Sequence, residues 1–514
     1  MVQKYNIKKA FEKSAQEVQE SWFLKSTPFI VCDVFLERYC TAGILTIFPY
    51  FFHIKLGLEE DLATSIYHLF EGLMLVFAIF GTIIGETWMG LYQAIVISSL
   101  VYVVGLAVIS VAMIDSFSLP VGYTVTLGLL ITLVGCGCLQ NNLNAFGAGQ
   151  HKLPEQKQQL ETYFSVEYFG IKCGSFMARA LFPMIRADVK CFGNDDCYSV
   201  SFGIPSAIFF IATIVFLCGT GKYTKLKPNG NMLVKVIKVI KVREKFYHQS
   251  NVNYKSIHFQ HALTNKPNNL PESEQKPHWL EYSEEKYGKK LVMETKIALK
   301  VVLMSLPVPI FWACLMQQRS RWIFQATKLD GNLEFYTLEP DQMMTINSFI
   351  GVILIPFLDK FIYPLLEKVG IKTTLQRLVF GGVLIAVAFI LSTILETQIE
   401  KNYISILWQL PQYILIAIAE TFTYLSHLNF AYKEAPPSMK PVMMCLICLS
   451  MAGGDLIVAV ISAISIFPSQ AYEFAFYACL TLIDVILLTF LAKNYKPVDH
   501  EILKSLENKT NIEK

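Results

Sequence analysis

The chain has 514 residues, of which 53% are hydrophobic and only 17% charged, with a mean hydropathy of +0.42. That balance excludes a soluble multidomain protein, and a net charge of +3 is too small to argue for a nucleic-acid partner. Twelve apolar stretches, six on each side of a long basic segment, instead predict an all-α membrane protein built as two bundles of six transmembrane helices.

Residues 1–27 read as a polar cytoplasmic tail carrying Lys4, Lys8, Lys9, Lys13 and Lys25. It has no apolar core, so no cleavable signal peptide is expected and the first span directs insertion. The N-terminal bundle, residues 28–220, contains spans predicted at 28–52, 62–85, 92–114, 121–146, 161–185 and 201–219. A helix of about 20 residues matches the roughly 30 Å hydrocarbon layer and satisfies its own backbone there.

The linker, residues 221–296, opens with Lys222, Lys225, Lys227, Lys235, Lys238, Lys241, Arg243 and Lys245. Such clustering places the linker and both termini in the cytoplasm. Within it Leu233, Ile237 and Ile240 alternate with lysines at helical spacing, which predicts an amphipathic helix on the inner leaflet against the plainer reading of a solvated basic stretch. Residues 250–278, rich in Asn, Ser, Pro and Lys, read as a mobile loop. The C-terminal bundle, residues 297–493, holds spans predicted at 297–318, 343–363, 376–396, 404–431, 441–466 and 471–493, followed by a cytoplasmic tail at 494–514. The Asn508 sequon falls in that tail and is not expected to be glycosylated.

Most of the twelve cysteines lie inside spans, where a thiol behaves as a small hydrophobe. Cys191 and Cys197 differ: they flank a polar loop between spans five and six, on the outer side, and are predicted to form a disulfide. The connection 397–402 is too short for an external domain. No His-Glu-x-x-His or paired-cysteine motif is present, so no metal or other cofactor is expected. Gly135-x-Gly137 reads as small-residue helix packing and no nucleophile is paired with a base, which argues against an enzyme.

An ionisable residue at bilayer depth is costly unless it meets a partner or a wet cavity, so each one marks a candidate transport path. In the first span Asp33, Glu37 and Arg38 form a mixed-charge cluster expected to face the cavity, the alternative being a structural ion pair. Thr64, His68 and Glu71 share a face of the second span. His68 is a candidate protonation site, favoured in its charged form by Glu71, or a satisfied structural histidine. Tyr168, Lys172, Ser175 and Arg179 make a cationic stripe on the fifth span that suits a carboxylate, although Lys172 could instead pair with Glu37 or Glu420. Glu167 has no evident partner there. On the tenth span Tyr413, Glu420, Tyr424 and His427 share a face, with Glu420 the candidate to hold an ammonium group. Trp312 with Met316, Gln317 and Gln318 closes the seventh span as an aromatic and amide surface, for a ligand or for packing. Asp455 and Asp484 read as structural. An acidic pole in one half and a cationic pole in the other match a zwitterion with separated ends, moved by alternating access with protons.

Several motifs carry a resemblance. They are Val34-Phe-Leu-Glu37-Arg38, Thr64-Ser-Ile-Tyr-His68, His278-Trp-Leu-Glu281 and Glu285-Lys-Tyr287 in the first half and linker. The second half adds Phe311-Trp312, Gln317-Gln318, Ser320-Arg321-Trp322, Gln325-Ala-Thr327, Pro340-Asp-Gln-Met343 and Ala435-Pro436 before Ser438-Met439-Lys440. On these the chain resembles the proton-dependent oligopeptide transporters, most closely the animal di- and tripeptide carriers, over nearly all of residues 28–497. The resemblance implies the major facilitator 6+6 architecture and a monomeric, multi-pass plasma-membrane carrier of small peptides and protons. It implies substrate contacts at Arg38, Tyr168, Trp312 and Glu420, with Glu37 in the proton site and His68 proton-linked or structural; Tyr39 and Lys172 are added from the residues themselves as candidate substrate contacts, and Asp33 as a candidate for proton coupling.

The chain also departs from that pattern. Val34 stands where the family's first-helix motif has a second glutamate, Gln140 where the fourth helix has lysine, and Thr162 where the fifth has arginine. Lys172 replaces an amide, Met316 an aspartate, and Asn429 a glutamate common in animal relatives. Asp33 and Lys172 are candidates to compensate. The losses keep open a facilitative carrier of another small zwitterion or anion, and a non-transporting peptide sensor.

Overall fold

The computed structural model describes residues 24–495, except 115–118, 153–154, 192–195, 226, 229, 250–278 and 335. The first four tail lysines, the 250–278 loop and the Asn508 sequon lie outside the described residues. The chain folds as an all-α membrane protein of two six-helix halves. The first half comprises α1 (Thr27–Tyr50), α2 (Glu60–Ile84), α3 (Leu91–Ala112), α4 (Val121–Ala148), α5 (Lys157–Asp188) and α6 (Tyr198–Cys218). The linker carries α7 (Met232–Gln249). The second half has a broken rod of α8 (Lys289–Ser305) and α9 (Val308–Thr327), then α10 (Met344–Phe357), α11 (Thr374–Ile399), α12 (Leu410–Glu434), α13 (Lys440–Ile464) and α14 (Gln470–Asn494).

Eight helices among the described residues are long and apolar enough to cross a membrane, nine when the bent α8–α9 pair counts as one span. The other three rods explain themselves. α1 carries Asp33, Glu37 and Arg38, α5 carries the Lys172 and Arg179 stripe, and α10 breaks into a π turn at Leu358–Ile362 before Tyr363–Lys368. Apolar side chains such as Phe80, Ile97, Leu127, Ile211, Ile394 and Ile486 are exposed on the outer faces. In water that ring would aggregate; against acyl chains it is the ordinary surface of a spanning bundle.

The seventh span differs from its predicted bounds. Instead of one helix over 297–318, the rod runs from Lys289 to Thr327 with a 50° bend after Ser305. The cause is Pro307, which has no N–H to donate and whose ring crowds the carbonyl one turn back. The extension beyond 318 places Arg319 in the chamber between the halves and Arg321 just beyond it, beside Asp61 and Glu473.

Each half has its own core. Ile30, Phe48, Tyr67, Tyr102 and Phe202 belong to the first, Trp312, Trp322, Phe389, Tyr413 and Tyr477 to the second. Within the first half, glycines set the helix spacing. Gly135 turns its bare Cα to Tyr102 of α3 while Gly137 faces Met74 and Phe77 of α2. A Cβ on Gly81 would lie 2.5 Å from the Cys138 Cα. Gly81→Val is therefore expected to destabilise the bundle by about 1–3 kcal/mol or more, as overpacking does. A lower apparent melting temperature in detergent checks it; an unchanged one refutes the close-approach account.

Local signals hold the ends. Asn231 begins α7 by accepting from the Leu233 and Val234 amides at 2.8 and 3.3 Å, while its own amide donates to Glu86 at 2.8 Å, tying the linker to the π turn Gly85–Met89 that follows α2. Val236 and Val239 of α7 are buried, the latter with Leu280 and Val292, so the apolar face of this helix packs on protein while Ile237 stays exposed. Thr373 and Gln376 form a reciprocal capping box at the start of α11. At the opposite end of the bundle, Cys191 and Cys197 are joined as a disulfide with Cα atoms 5.3 Å apart.

Candidate functional site

A cavity of about 170 Å³ lies between the halves. Its walls include Arg38 of α1, Glu71 of α2, Gln140 of α4, Lys172, Ser175 and Arg179 of α5, Arg319 at the end of the bent rod, and Glu420 of α12. Among those residues are four cations and two carboxylates, brought together from both halves.

Arg38 is held from two sides. Its Nε lies 3.0 Å from Glu37 Oε2, and with the Gln140 amide turned to the orientation that satisfies both its oxygen and its nitrogen, that oxygen accepts from Nη1 at 2.7 Å and also from Nη2. Glu37 itself is buried behind the wall and accepts from Thr41 Oγ1 at 3.0 Å. Gln140, at the family's lysine position, therefore serves as an acceptor for the neighbouring arginine.

Glu420 receives two amide hydrogen bonds on one oxygen, from Gln318 Nε2 at 3.1 Å and Asn347 Nδ2 at 2.7 Å. Among the described residues its Oε1 takes none. Lys172 lies within electrostatic reach of Glu420, yet it has no ion pair with any carboxylate among the described residues. Its Nζ sits 5.6 Å from the Tyr168 ring centroid. The expected pairing of Lys172 with Glu37 or Glu420 is thus not made. Arg179 donates to Ser348 Oγ of α10 at 2.8 Å.

A second polar layer lies behind Glu71. His68 is fully buried; Nδ1 is 2.9 Å from Asp455 Oδ1 of α13, and Nε2 is 2.7 Å from Ser320 Oγ. Glu71 pairs with Arg319 instead of partnering the histidine directly. With the ring neutral, the described ionic groups of this layer sum to minus one: Glu71 and Asp455 against Arg319. Ligand atoms of His68, Glu71 and Asp455 lie within 4.8 Å of one another. A dication there would have to displace the Arg319 guanidinium, so the set suits a proton better than a metal.

Several expectations need correction. Asp33 does not join the Glu37–Arg38 pair: among the described residues both its buried carboxylate oxygens lack a hydrogen-bond partner, and the guanidinium is already committed to Glu37 and Gln140. Tyr39 points to the helix interface, edge-on to Phe182 at 5.5 Å, and is not in the cavity wall. Trp312 is buried one layer back, edge-on to Tyr424 at 6.3 Å. Glu167 does have a partner, the Tyr163 hydroxyl at 3.0 Å. Asp455, read as structural, is the carboxylate that meets His68. Arg319, Asn347 and Ser348 carry no spacing signal in the sequence and were not among the expected site residues.

At the disulfide end the halves are joined by charge. Arg186 of α5 reaches Glu339 at 2.8 Å and Asp341 at 3.2 Å, and its guanidinium stacks on Tyr50 at 4.4 Å. Arg321 bridges Asp61 of α2 at 2.6 Å and Glu473 of α14 at 2.9 Å. Ser65 donates to the Ala459 carbonyl at 2.9 Å between these pairs and the cavity. The cavity is closed on this side.

Comparison with known proteins agrees with that architecture. Residues 92–480 match the PTR2 model of the POT family. "Peptide transporter family 1" of Drosophila melanogaster is 35% identical over 377 residues, 73% of this chain and 48% of that protein. Human "Solute carrier family 15 member 1" is 34% identical over 390 residues, covering 73% and 52% respectively. The chain thus spans about half the length of the curated relatives it matches. The solved POT family transporter PepTSo superposes with a TM-score of 0.76 over 92% of this chain and 98% of that one, at 23% identity, a likeness of fold. With three quarters of its length inside the family model, this chain belongs to the POT family.

Proposed function

We propose that this chain is a secondary transporter that moves di- and tripeptides across the plasma membrane by alternating access, driven by protons, as a monomer with both termini cytoplasmic. The observation that carries the reading is the cavity itself: a carboxylate with one unoccupied oxygen, Glu420, shares a small chamber with Arg38 and Lys172 from the other half. A peptide amino terminus suits Glu420 Oε1 and its carboxylate suits the cationic wall, so bound substrate draws the halves together. The relatives named above, a peptide transporter among them, support the same class of cargo.

The proton has a place in the His68–Asp455 layer. One proton taken by Asp455 brings Glu71, Asp455, Arg319 and His68 to neutrality, which removes the cost of a buried net charge and turns the charge-assisted bond between α2 and α13 into a weaker neutral one. Loading and release of that proton thereby bias the two halves toward closing or parting on the disulfide side.

Uptake of a labelled dipeptide into proteoliposomes tests the proposal. Accumulation above equilibrium is expected with an inward proton gradient and not without it. His68→Gln and Asp455→Asn are expected to lose gradient-driven accumulation while retaining exchange of labelled for unlabelled peptide. Equal accumulation with and without the gradient refutes the coupling.

A further inference from the structure

The charges lining the chamber do not balance. Arg38 has Glu37 and Arg319 has Glu71, each in ion-pair contact. Lys172 and Arg179 remain, facing the single carboxylate of Glu420, which is also the expected partner of a substrate ammonium. Neither cation has an ion pair among the described residues; Arg179 spends one nitrogen on Ser348, and its buried Nε has no hydrogen-bond partner. Of the other buried carboxylates nearby, Asp455 is turned to His68 behind the wall and Glu167 to the Tyr163 hydroxyl.

The two cationic groups also converge. They sit two turns apart on α5, but their heads reach the same stretch of α10. Arg179 Nη1 bonds Ser348, and Lys172 Nζ lies 3.7 Å from where a Cβ on Gly351 would be, one turn along. Gly351 has no side chain to occupy that corner. A zwitterionic peptide leaves this excess positive charge in place, because its own ends cancel.

We infer that the chamber selects peptides bearing an acidic side chain, whose second carboxylate sits between Lys172 and Arg179 against the Ser348–Gly351 turn of α10. This rests on the peptide reading above and adds its side-chain class. With a neutral side chain, the single charge of Glu420 is shared between the substrate ammonium and two desolvated cations, and a lysine side chain adds a further cation.

Competition against a labelled neutral dipeptide, alanyl-alanine, on the purified full chain at neutral pH tests the inference. Alanyl-glutamate is expected to compete about tenfold better than alanyl-alanine, and alanyl-lysine worse than either. In Lys172→Gln and Arg179→Gln the acidic-to-neutral ratio is expected to fall toward one, and Lys172→Arg is expected to retain it. Monodisperse elution of each variant shows that it has folded. If alanyl-alanine binds and alanyl-glutamate is no better, or if the ratio survives both glutamine variants, the inference fails and the peptide reading stands. If no dipeptide binds the folded chain, both fail.

Discussion

Glu420→Gln is expected to lower kcat/KM for a neutral dipeptide by about 100-fold, the loss of one charge-assisted hydrogen bond in a desolvated site. The substitution is nearly isosteric, so the cavity keeps its shape. What changes is charge: the two amides of Gln318 and Asn347 now meet a neutral group, and the oxygen facing the chamber no longer attracts an ammonium ion. Glutamine also presents donors of its own, which crowd against those amides or repel the substrate's amino group. Initial uptake rates in proteoliposomes at several peptide concentrations measure the effect. A change of less than about threefold shows that the amino terminus is held elsewhere.

Arg319→Gln is expected to be the most damaging single change to the fold. Its guanidinium is the one cation among the described residues in ion-pair contact with Glu71, and beside that pair lies Asp455, with one oxygen already lacking a partner. Removing one member of a buried pair costs about 3–5 kcal/mol because the other is stranded. Expression of folded protein and its apparent melting temperature are expected to drop sharply. Adding Glu71→Gln restores folding, since the stranded charge is gone, without restoring transport. If Arg319→Gln melts like the parent, the pair does not hold the two halves together.

The spans were legible because bilayer thickness imposes a length and the backbone imposes a helix, so even charged α1 and α5 were placed by their apolar flanks. The break in the seventh rod was also written in the chain, as Pro307 and Pro309 within three residues, and went unread because hydropathy averages across it. Ending that span at 318 put Arg319 at the rim, whereas the helix continues to Thr327 and carries it into the chamber. The pairing of His68 with Asp455 joins residues 387 apart in sequence, and periodicity along one helix reports only which face is polar, never which helix that face meets. Adjacency misled in the same way at Asp33 and Tyr39. Asp33 lies one turn before Glu37 and Tyr39 directly follows Arg38, but each looks along a different direction from the helix axis.

The seam at the disulfide end is made of Arg186 with Glu339 and Asp341, and Arg321 with Asp61, where interlocking hydrocarbon was equally available to the fold. Pulling apart greasy surfaces exposes them to water at full cost, but ions that separate into water recover their hydration, which offsets much of the attraction they give up. A closure of this kind can be firm when shut and still inexpensive to release. Such a balance keeps the two orientations of a carrier close in free energy, so that the small push of one cargo molecule suffices to tip it.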